Sequence, residues 1–313
     1  MPRLGNKLII AVALGAAIFV GMSLWANVHE ISDALRRLQR GYIPLVLVLA
    51  LLNYLTRFLK WEVYRRTLQI VLPIRVSLLV FLSGLVMSVT PGKFGEVLKS
   101  YLLKRANGTA IRRSAPIVLA ERFTDFIALI LLSSAGTFAF AYGGRLFAIS
   151  VLLIVGVLVL VSSKTGSARV LRTLRKVPLF SGMARALEEA YRSIFQLLHW
   201  NLLLPTTLIS VVAWFWECLG FYLILHAFDT SLPLFDAAFV YAFSTIAGAV
   251  TMLPGGLGAT EAGMAGLLVG FHTPKPDAVA SVLVVRVCTL WFAVLVGLGA
   301  LWRFRRPMSV PKA

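Results

Sequence analysis

Apolar runs of membrane-spanning length recur along this chain, and they constrain its fold more than any other feature. A helix rises about 1.5 Å per residue, so roughly 20 apolar residues cross a hydrocarbon core of about 30 Å. Runs of this kind lie at 8–26, 42–58, 114–142, 146–161, 202–225 and 278–302. A bilayer interior offers no water to backbone N–H and C=O groups, so such runs are expected to be helices. Composition agrees. Of 313 residues, 59% are hydrophobic and 14% charged, against about 25% charged in soluble domains. Soluble enzymes, disordered chains and secreted disulfide scaffolds are excluded. Cys218 and Cys288 both sit inside apolar runs, so no disulfide framework is implied.

The formal net charge is +18. The basic residues fall between apolar runs, which reads as membrane orientation through the positive-inside bias. No zinc-finger spacing or aromatic-basic groove pattern points to nucleic acid. The first run follows Arg3 and Lys7 and exits through Trp25-Ala26-Asn27 without an A-x-A site. It is expected to be a retained helix with a cytoplasmic N-terminus. The second run exits into Arg57, Lys60, Arg65 and Arg66, a cluster typical of the cytoplasmic margin. A basic connector follows at 164–200, with an amphipathic stretch at 187–198, and the chain closes with Arg303, Arg305 and Arg306.

Two further apolar regions, 74–103 and 234–271, are each interrupted by Pro and Gly near the middle. As re-entrant hairpins they do not cross. Six crossings then place both termini and most Lys and Arg residues in the cytoplasm. Arg36, Arg37 and Arg40, on the amphipathic stretch 28–41, are the exception, because this topology leaves them outside.

The interrupted regions match each other. One reads Thr90-Pro91-Gly92-Lys93-Phe94-Gly95-Glu96; the other reads Leu253-Pro254-Gly255-Gly256-Leu257-Gly258, with Thr260-Glu261 after it. An intramembrane arginine follows each proline by about thirty residues, Arg122 and Arg286. The offset between copies is 163 residues at the prolines and 164 at the arginines. The repeats are placed at about 74–142 and 234–302. Basic residues surround the exit of the first hairpin and not the second, so the copies are expected to be inverted. Broken helices in inverted repeats that meet near the midplane are a transporter architecture. Pro91 and Pro254 suit the first turn of a returning half-helix. Gly92, Gly95, Gly255, Gly256 and Gly258 permit tight turns. Half-helix N-termini aimed at the centre suit an anion such as phosphate.

Charge inside a membrane costs on the order of 2.5–3.5 kcal/mol per residue on insertion scales. Lys93, Glu96, Glu121, Arg122, Asp125, Glu217, Glu261 and Arg286 therefore need pairing or a polar cavity. Arg122 and Asp125 are spaced as an i, i+3 helix pair. Arg286 has no acidic neighbour in its own span, so Glu261 or a lipid phosphate is its expected partner. A guanidinium fork suits phosphate. Lys93 suits it as a point charge. Glu96 and Glu261 suit either helix capping or a ligand. Glu217, among Trp214, Trp216 and Phe221, is expected to have a structural partner. The four histidines have no metal-ligand spacing, and no nucleotide or nucleophile motif occurs, so no metal, cofactor or catalytic set is expected.

The Thr90–Glu96 motif, Glu121-Arg122-x-x-Asp125, Pro254-Gly255-Gly256-Leu257-Gly258 with Glu261, and Arg286 together resemble the lysylphosphatidylglycerol synthetase transmembrane (flippase-like) family. The resemblance covers nearly the whole chain. In bifunctional members such a domain moves aminoacylated phosphatidylglycerol between leaflets, and a soluble aminoacyltransferase domain follows it. This chain stops at Ala313, so a stand-alone member without the synthase activity is expected.

The resulting expectation is one all-α polytopic domain, residues 1–313, with about six full spans and two broken hairpins. It is a non-enzymatic lipid translocase of the inner (plasma) membrane. Its substrate-binding set is Lys93, Glu96, Arg122, Asp125, Glu261 and Arg286. Its partners are membrane lipids, with self-association or a lipid-modifying enzyme left open. A membrane-embedded enzyme acting on a phospholipid or polyprenyl phosphate, or an assembly partner of such an enzyme, is the alternative.

Overall fold

The computed structural model describes residues 2–90, 97–136, 148, 152 and 192–305. The described residues form helices joined by turns, with no strand among them. In chain order these are α1 (Pro2–Trp25), α2 (Val28–Arg37), α3 (Tyr42–Thr67), α4 (Ile74–Gly84) continued by a 3₁₀ segment (Leu85–Val89), α5 (Leu98–Asn107) and α6 (Ile111–Gly136). There follow α7 (Trp200–Ala227), α8 (Leu234–Val250), a 3₁₀ turn (Pro254–Gly256), α9 (Ala259–Gly270), α10 (Lys275–Arg286), a π-helical turn (Val287–Trp291) and α11 (Phe292–Arg305). The run expected at 146–161 and the basic connector as far as residue 191 lie outside the described residues, residues 148 and 152 excepted.

Three helical units are long and apolar enough to cross a membrane: Tyr42–Thr67, Trp200–Ala227 and Lys275–Phe304. The segment Ala13–Trp25 bends by 98° into α2. The long helices are apolar on both sides, as burial between protein and lipid requires. On α3 the exposed residues Val48, Leu51, Leu55 and Leu59 recur at helical spacing, as do Leu204, Leu208 and Val212 on α7 and Leu295, Leu298 and Trp302 on α11. The sequence places the end of the second run near residue 58. Helix α3 instead continues to Thr67, so Lys60, Trp61 and Tyr64 lie inside the bundle.

α3 and α7 pack against each other more extensively than any other pair. Gly220 lets Val46 approach, and Asn53 donates to the Ala213 carbonyl at 2.7 Å. Both helices end in the same way. Gln69 and Asp229 adopt positive φ (53° and 55°), and the amides of Ile70 and Thr230 donate back to the carbonyls of Arg65 and Leu225, both at 3.0 Å. This is a Schellman stop. A proline, Pro73 or Pro233, then opens the next helix. The likeness in element order therefore begins earlier than the interrupted regions that match in the sequence. A long helix, a Schellman stop, a proline, an inward helix, a 3₁₀ tip, a return helix and a final long helix occur twice. Packing between the halves is exchanged: α8 lies against α6, and α4 lies against α11.

The two hairpins open at opposite ends of the bundle. Asn107, at the end of α5, donates to the Val71 carbonyl just before α4 (2.9 Å), and Arg113 and Gln196 bond the carbonyls of Leu68 and Thr67. These groups gather where α3 ends. At the end where α3 begins, Gln39 bonds Asp229 (2.9 Å) and the Ala227 carbonyl (3.0 Å), and Arg37 pairs with Asp277 at 2.9 Å. Roughly 39 Å of α3 separates the two ends at the helical rise per residue. Arg37, which the sequence topology leaves stranded, thus has a partner at the start of α10. The hairpin tips meet inside: Gly255 lies against Val89 and the Ser88 carbonyl. Val89, Leu257, Leu290 and Val294 form a small buried cluster there, with Leu14 and Ile18 of α1 packed against it.

Candidate functional site

Where the tips meet, a cavity of about 470 Å³ opens between α3, α6, α7, α8 and the α10–α11 unit. Arg57, Arg122, Asp125, Glu217 and Arg286 line it, together with Tyr54, Tyr241, Thr245, Thr260 and Thr289. Leu119, Phe123, Phe126 and Leu290 supply apolar wall. Pockets of several hundred Å³ hold small molecules or headgroups.

The first charged group centres on Asp125. Its carboxylate pairs with Lys60 at 2.5 Å, Arg122 at 3.0 Å and Arg57 at 3.4 Å. The i, i+3 pair with Arg122 is the one the sequence spacing predicts. Lys60 and Arg57 come from α3, where the sequence reading places them at the cytoplasmic margin. Lys60 is 1% exposed and also donates to Ser210 Oγ (2.6 Å) and Thr124 Oγ1 (3.3 Å). Three acceptors, one of them a carboxylate, thus saturate an ammonium that would be intolerable alone in this interior. Arg57 lies 5.8 Å from the Trp214 ring centroid. One turn away, Glu121 pairs with Lys99 of α5, whose ammonium sits 4.9 Å from the Trp61 ring centroid. Charge pairing with an i+3 acid is visible in the sequence. These long-range cations are not, because nothing local brings 57 and 60 to 125.

The second charged group centres on Glu261. It accepts from Arg286 Nε at 2.5 Å and, with its other oxygen, from the Gly258 amide at 2.6 Å. Glu261 therefore caps α9 and is the partner of Arg286. Arg286 Nη2 also donates to the Gly255 carbonyl at 2.9 Å, which ties α10 to the hairpin tip. Pro254 does not begin the returning half-helix as the sequence suggests. It begins a single 3₁₀ turn, and α9 starts at Ala259 after Gly258. Gly255, Gly256 and Gly258 all have positive φ (63°, 68° and 88°). Gly256 also packs so closely on Gly248 and Thr260 that a Cβ has no room.

Arg286 ends α10, and the π turn follows directly. Such a turn shifts helical register by one residue and is common at functional sites. Here it carries Thr289 and Leu290 to the cavity wall, where Tyr54 donates to the Thr289 carbonyl at 3.1 Å. Glu217, expected to have a structural partner, accepts from the Tyr241 hydroxyl.

Arg122, Asp125 and Arg286 thus line one cavity. Glu261 lies directly behind Arg286, and Gly255 and Gly256 form the floor beside it. Pro91, Gly92, Lys93, Gly95 and Glu96 fall outside the described residues. Among the described residues no group of His, Cys, Asp and Glu is arranged to hold a metal ion.

A helical bundle with buried charge around a shared cavity, and apolar stripes facing outward, defines a multi-pass membrane protein. Residues 9–297 match the family described as lysylphosphatidylglycerol synthase TM region, and the chain belongs to that family. It is similar to two UPF0104 membrane proteins of Methanothermobacter thermautotrophicus. One is 27% identical over 97% of both chains, and the other is 25% identical over 65% of this chain and 66% of the relative. A UPF0104 membrane protein of Methanocaldococcus jannaschii is 23% identical over 67% of this chain and 90% of its own.

Proposed function

We propose that this protein is a lipid translocase of the inner (plasma) membrane, moving a phospholipid or lipid-linked headgroup between leaflets through the cavity at the hairpin tips. The carrying observation is that Arg122 and Arg286, which occupy matching positions in the duplication, line the same cavity beside the tip glycines. A guanidinium binds phosphate oxygens through its fork. The headgroup occupies the cavity while the acyl chains remain among the outward apolar stripes. The two halves act as inverted repeats whose re-entrant hairpins open to opposite sides, and one half rocks against the other around the fixed site. The end carrying Arg65, Arg66, Lys104, Arg105, Arg112 and Arg113 faces the cytoplasm under the positive-inside bias, which puts both termini there. The exchanged packing of α4 and α8, and the hairpins opening at opposite ends, support this reading. No covalent step is assigned to the cavity.

The test uses purified protein in liposomes with headgroup-accessible fluorescent phospholipids, scoring the fraction that crosses the bilayer. Wild type is expected to equilibrate label, and folded Arg286→Ala to lose most of that activity. Equal rates for wild type, variant and empty liposomes would sink the reading.

A further inference from the structure

A second recess, of about 260 Å³, lies at the end of the bundle where α3 stops. Arg57 and Thr67 are about 15 Å apart along α3 at the helical rise per residue, so this recess is separate from the cavity. Arg113 from the start of α6, Arg192, Ser193 and Gln196 from the segment before α7, and Thr67 and Gln69 of the α3 stop line it. Helix capping accounts for part of this chemistry. Thr67 and Leu68 end α3 with carbonyls that have no intrahelical donor, and Gln196 Nε2 and Arg113 Nη2 donate to them at 3.1 Å and 2.7 Å. The remaining donors are not needed for that. Arg113 keeps Nε and Nη1, and the Gln69 carboxamide bonds nothing among the described residues. No Asp or Glu lines the recess among the described residues. Glu62, the one acid of α3, is already held by Arg65 at 2.5 Å and Arg66 at 3.6 Å. Arg57, Arg122 and Arg286 in the cavity each face a carboxylate; Arg113 has only a carbonyl in that place among the described residues. The stop that ends α7 supplies its own complement. There the positive-φ residue is an acid, Asp229, and it accepts from the Gln39 carboxamide at 2.9 Å. At the α3 stop the positive-φ residue is Gln69, beside two guanidinium-bearing side chains, and the described chain sets no acid opposite them.

We propose that this recess is an oxyanion site that takes a phosphate group, apart from the cavity at the hairpin tips and independent of the translocase reading. Guanidinium groups reach it from two elements, α6 and the segment before α7, and a carboxamide reaches it from a third, the α3 stop. Donors from several directions suit the tetrahedral oxygens of phosphate better than a planar carboxylate, and a guanidinium fork binds two of those oxygens. The volume lies just below that of pockets for larger small molecules, which suits a phosphate with a small esterified group. A free phosphoester and a lipid headgroup at the bilayer surface present the same chemistry, and the experiment separates them. Occupancy ties the start of α6, the helix that carries Arg122 and Asp125, to the end of α3 and to the segment that leads into α7.

The experiment follows the unfolding midpoint of the purified full chain in neutral detergent while probes are titrated, with chloride holding the ionic strength constant. A ligand of the folded state raises the midpoint in a saturable way. The soluble arm uses inorganic phosphate and glycerol phosphate. The lipid arm uses mixed micelles of phosphatidic acid, with diacylglycerol as the phosphate-free blank. Wild type is expected to be stabilised by at least one phosphate-bearing probe. Stabilisation by the soluble probes assigns a free phosphoester; stabilisation by phosphatidic acid alone assigns a lipid headgroup. In either case Arg113→Gln with Arg192→Gln is expected to weaken the apparent affinity about ten-fold or more. Gln69→Gly tests the same site without harm to the fold, because glycine is the usual residue at a positive-φ helix stop. Its affinity should fall about three-fold, with the ligand-free midpoint unchanged or higher. An absence of saturable stabilisation by every probe overturns the proposal. So does a phosphatidic acid effect that diacylglycerol reproduces, or wild-type affinity in the variants that fold.

Discussion

The two charged centres beside the cavity each hold one of the sequence-matched arginines, Arg122 or Arg286, but they are built in different ways. Their acids lie on different kinds of helix, Asp125 on a long helix and Glu261 on a hairpin's return helix. Around Asp125 three cations converge from two helices, α3 and α6, and one of them, Lys60, is sealed from solvent. Around Glu261, among the described residues, a single arginine meets a single carboxylate, and the same carboxylate caps the helix that carries it. The first centre ties the halves of the bundle together: Lys60 reaches α6 through Asp125 and α7 through Ser210. The second ties a hairpin tip to its own following helix through Arg286 and the Gly255 carbonyl. Two stretches with the same order of elements thus differ in their buried electrostatics: one holds a structural hub, and the other a local latch beside the tip.

If Asp125 is the hub, its loss is the most damaging single change. Asp125→Asn leaves Lys60 without a counter-charge, a cost of about 3–5 kcal/mol. It should lower the unfolding midpoint in detergent more than any other variant discussed here. Lys60→Met added to it should recover most of the loss, and a midpoint that stays low would move the hub to Arg57 and Arg122. Glu261→Gln should cost less, about 1.5–3 kcal/mol as for a hydrogen bond to a charged group, because Arg286 retains the Gly255 carbonyl. Equal losses for the two acids would break the distinction. The tip itself is probed by Gly256→Ala. Positive φ costs an L-residue roughly 1–2 kcal/mol, and the new Cβ would sit 2.6 Å from Thr260 Oγ1. Gly258→Ala also has positive φ, but its Cβ would meet only Ile18 at an ordinary contact distance of 3.6 Å, so it should be the milder of the two in the same unfolding assay. The smallest effect belongs to Arg37→Ala. Its pair with Asp277 is 64% exposed on the arginine side, and exposed pairs contribute at most about 1 kcal/mol. A large loss there would mean that α2 anchors the hairpin end and does more than rest on it.

What can be read from the chain alone follows its physical period. Spans are legible because hydrocarbon demands length and apolarity, and the second hairpin because Pro254 and three glycines interrupt an otherwise apolar run. The Arg122–Asp125 pair is legible because three residues is about one turn. The start of α9 is misplaced by five residues in the sequence reading, since proline usually opens a helix and here opens only a 3₁₀ turn. The earlier extent of the repeat escapes that reading, because Gln69 and Asp229 share a backbone conformation and not a residue type.

The sequence by itself thus determined a membrane-embedded helical chain, two matching Pro-Gly interruptions and a set of buried charges in need of partners. Only the tertiary structure decided which partners they have. Lys60 to Asp125 spans 65 positions and Lys99 to Glu121 spans 22, distances at which no helical period or turn chemistry operates. The same holds for Tyr54, Glu217, Thr245 and Thr289, which line one cavity. Each residue is ordinary in its own helix, and only packing α3, α7, α8 and the π turn around one space brings them together.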